Sequence, residues 1–451
     1  SEHGEPVTVA AAEVREHIDI VLPKAGVVAG RILDEYGEPV EGALVRILEI
    51  RFSRGRRQLT ALAFSPRTND LGRYRIIGVQ PGRYIVSASV GQVSPAPNAA
   101  DLPGYAETYF PGTQSPSEAQ FVAVGLSQEA ANIDFALTRV RTASITGTAA
   151  NSAGEPITGG LMLAPSHRSG AVFAASVGAR IAPDGSFEFP NLAPGEYVVQ
   201  AARGRLQRSV EAEFASQLIT VNGDDVTGIV LRTSPGSTIA GRFSFEGAGP
   251  PRAANVDLSP VPSDFDSTPL AGGFMATAEI HSDWTFDMEG INGPRRLRLT
   301  RAPPGWSLRS ILLNGTDITD TPLMFGTKEQ SIRDVEVVLT NRMTVVSGSV
   351  TDGHAGFAPG SHVIVFARDR DLWYPASRFL AHGTAGPDGS FSVRGLPPGD
   401  YVIAAVDRLL GGGQDDEWQA GELLDALARD GKSLTLVEGQ QLTVDVKLTR
   451  R

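Results

Sequence analysis

Cysteine is absent from the 451 residues. That excludes disulfide staples and thiolate zinc sites, and it leaves the compartment open, because a domain with an ample core needs no staple. Lysine is nearly absent: Lys24, Lys328, Lys432 and Lys447 are the only ones among 40 basic residues. No run of eighteen apolar residues occurs, so no membrane-spanning helix is expected. The chain does not open on a basic and then apolar leader, and Ser1 is therefore read as a processed or trimmed end. Positive charge is in deficit, and the net charge of −11 argues against nucleic acid as a partner and for a self-repelling surface.

Glycine and proline, by contrast, number 50 and 30, and they recur in one cassette. Asp388-Gly389-Ser390-Phe391 is followed by Pro398-Gly399-Asp400-Tyr401. Copies stand at Asp184-Gly185-Ser186-Phe187 with Pro194-Gly195-Glu196-Tyr197, and at Asp70, Gly72, Tyr74 with Pro81-Gly82-Arg83-Tyr84. Asp-Gly suits the positive φ of a tight hairpin, and Pro-Gly suggests a type II turn with its glycine left-handed. Phe391 and Val393, then Tyr401, Ile403 and Ala405, alternate as in strands with one buried face. A fourth, degenerate copy reads Asp283-Trp284-Thr285-Phe286 with Gly293-Pro294.

Each cassette has an opening block upstream, clearest at Gly30 to Asp34 and Gly37-Glu38-Pro39-Val40 through Ile47, and again at Gly147 with Gly154-Glu155-Pro156-Ile157. These residues resemble the carboxypeptidase-regulatory-like domains, transthyretin-like β-sandwiches found in tandem in bacterial surface and secreted proteins. The resemblance spans nearly the whole chain. It implies an all-β protein, a tandem array of four Ig-like or transthyretin-like β-sandwiches, secreted and extracellular or at the cell surface. It is specific for fold and poor for function, since such domains serve as spacers, stalks and adhesion modules. Pilin-type sandwiches of similar fold use Lys-Asn cross-links, which the lysine-free stretch from 141 to 327 rules out for the second unit and nearly all of the third. The C-terminus carries no Leu-Pro-x-Thr-Gly sorting signal.

The expected units are 25–140, 141–234, 235–342 and 343–451, the last with an inserted helix over 415–429. Only nine residues separate Leu137 from Gly147 and Leu231 from Gly241, so the sandwiches should abut. Four in line would make a rod of roughly 130 Å. Residues 1–24 look like the end of a domain without its beginning. Val7, Val9, Ile18, Asp19, Ile20 and Leu22 repeat Val122, Val124, Ile133, Asp134, Phe135 and Leu137, which close the first unit. A lone hairpin is marginal in water, so its apolar side chains need cover. Four readings stand: the sheet it completes was removed, it is donated to another copy of this protein, it folds back on the first unit, or it is disordered.

Three local features remain. Arg51, Arg54, Arg56 and Arg57 form a basic loop whose candidate acidic partner is Asp415-Asp416-Glu417, against the plainer reading of a solvated loop. Tyr105, Tyr109, Phe110, Pro111 and Gly112 make an aromatic excursion that either covers a sandwich end or stacks on a sugar. Asn314-Gly315 is a hairpin-turn signal and, with Thr316, the only Asn-x-Thr sequon, hence a candidate glycosylation site.

Catalytic and metal sites are expected to be absent. None of the seven histidines has Glu three residues on, as metallo-carboxypeptidases require, and no nucleophile elbow, phosphate loop or dinucleotide fingerprint occurs. The Asp-Gly pairs do not continue into calcium loops, so no cofactor is expected. The function expected is that of a non-enzymatic extracellular structural protein, a homo-oligomer polymerising head to tail by strand donation through Val7, Val9, Ile18, Ile20 and Leu22. The alternatives are a carbohydrate-binding or adhesive module, with glycans as partners, and accessory domains of a larger surface protein.

Overall fold

A computed structural model describes residues 24–53, 55–62, 64–90, 104–166, 177–203, 213–247, 256–264, 266–267, 276–326, 330–352, 356–409 and 416–450. The expected N-terminal hairpin, with Val7, Val9, Ile18, Ile20 and Leu22, lies outside these residues. Strand makes up 56% and helix 5%, so the protein is all-β.

Four apolar cores follow one another along the chain. The first gathers residues from Val28 to Leu137, the second from Ala143 to Leu231, the third from Ile239 to Leu339 and the fourth from Val346 to Val446. Around each, two groups of strands pack face to face. In the second unit the strand order is Ser186–Leu192, Ala143–Ala150, Val226–Arg232 in one sheet and Val177–Ile181, Gly159–Pro165, Gly195–Arg203, Glu213–Val221 in the other.

One rule is common to all four units: the closing segment pairs parallel with the opening strand. Phe135–Ala136 does so with Gly26–Leu33, Val226–Arg232 with Ala143–Ala150, Ser331–Thr340 with Ser237–Glu246, and Val446–Thr449 with Val345–Thr351. The recurring glycine of the opening block exists for this contact. A Cβ on Gly30, Gly147, Gly241 or Gly348 would collide with the carbonyl oxygen of Ile133, Ile229, Val335 or Val444. Only a residue without a side chain lets the two backbones meet there.

The two turns of the cassette behave differently. At the first, Gly185 and Gly389 have φ of 84 and 75°, as expected of Asp-Gly, and Gly72, which follows Leu71, has φ 66°. Asp184 and Asp388 accept the N–H of Ser186 and Ser390, whereas in the first unit Asn69, not Asp70, accepts from Leu71 and Arg73. Trp284 takes this left-handed position in the third unit, at φ 66°, with its ring edge-on to Phe243 and Phe245.

The Pro-Gly pair is not the expected type II turn. Gly82 and Gly195 are outside the left-handed region, Gly399 is at φ 156° rather than near the 80° of a type II turn, and the three begin the strands Gly82–Ser89, Gly195–Arg203 and Gly399–Val406. At Gly82 a Cβ would come within 3.0 Å of the tyrosine two residues on, whereas at Gly195 the ring would be 3.5 Å away, an ordinary contact. Tyr84, Tyr197 and Tyr401 fold back over the glycine and donate to the carbonyls of Gln80, Ala193 and Pro397. Arg295 occupies the same place in the third unit, donating to the carbonyls of Asn292 and Pro260 while only 1% exposed.

The helix expected over 415–429 is split into a 3-10 turn, Asp416–Gln419, and α1, Gly421–Asp430. Ala420 between them is extended, glycine at 421 being a weak helix former, and Trp418 turns to stack on His382. Leu423, Leu424 and Leu427 of α1 bury against Ile364, Phe366, Val402 and Ala404 of the fourth unit's own sheet.

Candidate functional site

Two clusters of polar side chains lie at joints between units. Between the second and third, Asp266, 5% exposed, accepts the Ser166 hydroxyl at 2.6 Å, and its carbonyl accepts from Ser216 at 2.6 Å and Gln200 at 3.4 Å. Between the third and fourth, Asp320 is the node. Arg378 donates to its Oδ2 through Nη2 at 2.8 Å and Nε at 3.1 Å, and Arg298 reaches its Oδ1 at 3.3 Å. Tyr374 donates to the same oxygen and lies under Arg296, 4.1 Å from ring centre to guanidinium. Burial alone would raise the Asp320 pKa, but Arg378, Tyr374 and Arg298 outweigh it and hold the carboxyl below its usual range. Arg298 also donates to the carbonyl of Ala376 at 3.1 Å, tying a third-unit strand to a fourth-unit loop. Beside this joint a cleft of about 470 Å³ is lined by Ser307, Arg309, Arg342, Arg378 and Glu438 among others. Its arginines are largely spoken for, since Arg309 holds Glu246 at 2.9 Å and bonds Glu438, and Arg378 holds Asp320.

The most unexpected joint connects the first unit to the fourth. The strands Leu44–Ser53 and Arg56–Ala61 form a hairpin whose Gly55, at φ 74°, presses on the Gln419 backbone so closely that no Cβ would fit. Phe52 packs into the apolar cluster of Ile364, Phe366, Leu423 and Leu424. Four beads in line are thereby excluded: short junctions limit freedom, but they do not fix direction. The hairpin that carries the basic loop lies beside the 3-10 turn with Asp416 and Glu417 through Gly55 and Phe52, and its Arg51 pairs with Glu49 at 2.9 Å. Arg54 and Asp415 are outside the described residues.

Beneath that turn sits a pair that motif reading passed over. His362 Nδ1 and His382 Nε2 are 3.1 Å apart, the rings stack at 5.2 Å, and Trp418 stacks on His382 at 5.7 Å. Burial lowers the pKa of both, that of His382 to about 4, with His362 adding to the effect; Glu417 opposes it at His362. Alternation in the sequence puts His362 on the face of Ile364, and the register, in which Ile364 pairs with His382, brings the second histidine to that same face.

The other candidates resolve locally. Tyr105 and Tyr109 are 8% and 6% exposed, and Phe110 meets Phe135 edge-on at 6.1 Å, so the excursion covers its own core rather than offering a platform. Trp306 is buried and Trp284, Trp373 and Trp418 are half-buried, while Tyr36 is 77% exposed. Asn314 and Gly315, at φ 50 and 80°, form an exposed turn between the strands Ser307–Leu313 and Thr316–Asp317. Among the described residues no group of three His, Asp or Glu could hold a metal, and no helix is long and apolar enough to cross a membrane.

No family model matches the chain, and no curated protein matches it. Among solved structures, the Bacillus anthracis TIE protein aligns over 93% of this chain and 73% of its own at 11% identity, with a TM-score of 0.19. The Streptococcal ancillary pilin aligns over 67% and 98% at 12% identity and 0.20, and BcpA, the major pilin subunit of Bacillus cereus, over 68% and 98% at 9% and 0.18. Scores this low carry no argument, and the functional reading rests on this chain's own residues.

Proposed function

We propose that this chain is a non-enzymatic extracellular structural protein: four sandwiches, divided near 140, 234 and 342, fastened into one block, with blocks joining head to tail through residues 1–22. The observation that carries the reading is the fastening itself. The second unit is tied to the third at Asp266, 5% exposed, and the third to the fourth at the half-buried, arginine-bound Asp320, rather than by a tether, which suits a part that transmits load.

The strand rule limits where a donated segment enters. All four opening strands already hold their own closing segment, so the acceptor in the neighbouring copy is an outer sheet edge. The strand Arg73–Val79 ends its sheet, lacks proline and carries Ile77 at 60% exposure beside Arg73 and Arg75, the latter paired with Glu129 at 3.0 Å. It suits a segment holding Glu2, Glu5, Glu13, Glu16 and Asp19. Electron microscopy of the purified intact chain tests the reading: fibres support it, and isolated monomers at high concentration overturn it. A glycan at Asn314 belongs to the same extracellular reading and is tested by intact mass of the protein from its native source.

A further inference from the structure

We propose that the contact between the first and fourth units is a clasp released by acid, with the His362–His382 pair as its trigger. The 3-10 turn Asp416–Gln419 is the middle layer of this contact. On one side it receives Gly55 and Phe52 of the first unit; on the other, Trp418 lies on His382. A 3.1 Å contact between two ring nitrogens requires one N–H and one bare nitrogen, so two protonated rings cannot share it. Two imidazolium cations in stacked contact would repel one another and press against the layer that holds the hairpin.

The groups around the pair are few. Glu417 of the turn faces His362 and is 3% exposed. The strands His362–Ala367 and Leu380–Thr384 bring no other charge. The strand Gly399–Val406 runs on into Asp407 and Arg408, paired at 3.9 Å, and the hairpin brings Arg57 and Arg51, the latter held by Glu49 at 2.9 Å. Glu417 can stabilise one cation, not two.

Both histidines are held below their ordinary value, so the clasped state is favoured above about pH 6.5 and loses that advantage as pH falls toward 4. For each histidine that takes its proton only on opening, one unit of pH in that window moves the clasp equilibrium up to about tenfold toward the open form. Opening would turn a closed block into a chain of sandwiches held only by its consecutive joints, a state that the fibre reading does not require.

The absence of cysteine makes the test clean. Glu41→Cys in the first unit and Arg429→Cys in the fourth, both exposed, carry a donor and an acceptor dye on the full chain. Energy transfer should fall between pH 7.5 and 4.5 with the far-ultraviolet dichroism unchanged. His382→Gln, which cannot take a proton, should hold the high-transfer state at pH 4.5, and Phe52→Ala should show low transfer already at pH 7.5. If His382→Gln fails to fold, His362→Gln takes its place. Unchanged transfer in the parent at pH 4.5, or a Gln variant that opens at the parent's pH, overturns the proposal.

Discussion

Arg378 grips Asp320 with two nitrogens across the joint between the third and fourth units, at 2.8 and 3.1 Å from the same carboxylate oxygen. The grip also serves Arg298, whose side chain is 7% exposed and would otherwise be a buried cation with only carbonyls and a phenol for company. Asp320→Asn should therefore cost about 1 to 3 kcal/mol at pH 7, below the order for a fully buried pair because Asp320 is 27% exposed. Because the folded pKa of Asp320 is depressed, this contribution is full above about pH 4 and disappears as pH falls through the lower folded value. Denaturant melts of the parent and the variant should differ at pH 7 and converge in strong acid.

A second prediction separates two kinds of glycine. Gly37 has φ 84° and open space around it, so Gly37→Ala should cost only the left-handed strain of about 1 kcal/mol. Gly30 meets the Ile133 carbonyl, and Gly30→Ala should cost more than about 3 kcal/mol, because the closing segment has to move away from the opening strand. Thermal unfolding of the two variants decides the matter. Equal losses would mean that the backbone contact tolerates a side chain.

The third concerns what replaced tyrosine. Tyr401→Phe removes a single 2.7 Å bond to the Pro397 carbonyl and should cost about 1 kcal/mol. Arg295→Leu leaves the carbonyls of Pro260 and Asn292 without their donor at a site 1% exposed, and should cost about 2 to 4 kcal/mol. Denaturant midpoints at constant slope are the measure.

Fold class was legible because turn glycines and period-two alternation are local signals, and Asp184-Gly185-Ser186 folds as its spacing implies. The opening glycine was visible as a repeat, but its reason was not, since the carbonyl it accommodates comes from about a hundred positions downstream. Pro-Gly misled for the opposite cause: the pair has a strong turn preference of its own, and here the tyrosine two residues later decides the geometry. The joints were not legible at all. Asp320 and Arg378 are 58 positions apart and obey no spacing. The first-to-fourth contact was half visible as a basic loop and an acidic tract, while Phe52 and Gly55, which make the contact, carry no charge to betray it.

The charge match behind the proposed acceptor edge makes its own prediction. Arg73→Glu with Ile77→Lys should abolish fibres while leaving the monomer's melting temperature within about 2 °C, since Arg73 and Ile77 are exposed. Replacing Glu13 and Glu16 by arginine in the same chain should restore part of the assembly. Fibres that ignore both changes would place the acceptor elsewhere.

The most direct measurement is electron microscopy and sedimentation of the intact chain beside one lacking residues 1–22. The account predicts fibres from the intact protein and soluble monomers of unchanged β dichroism from the shortened one. Fibres of the same form from the shortened chain, or an intact chain that stays monomeric at high concentration, would contradict it.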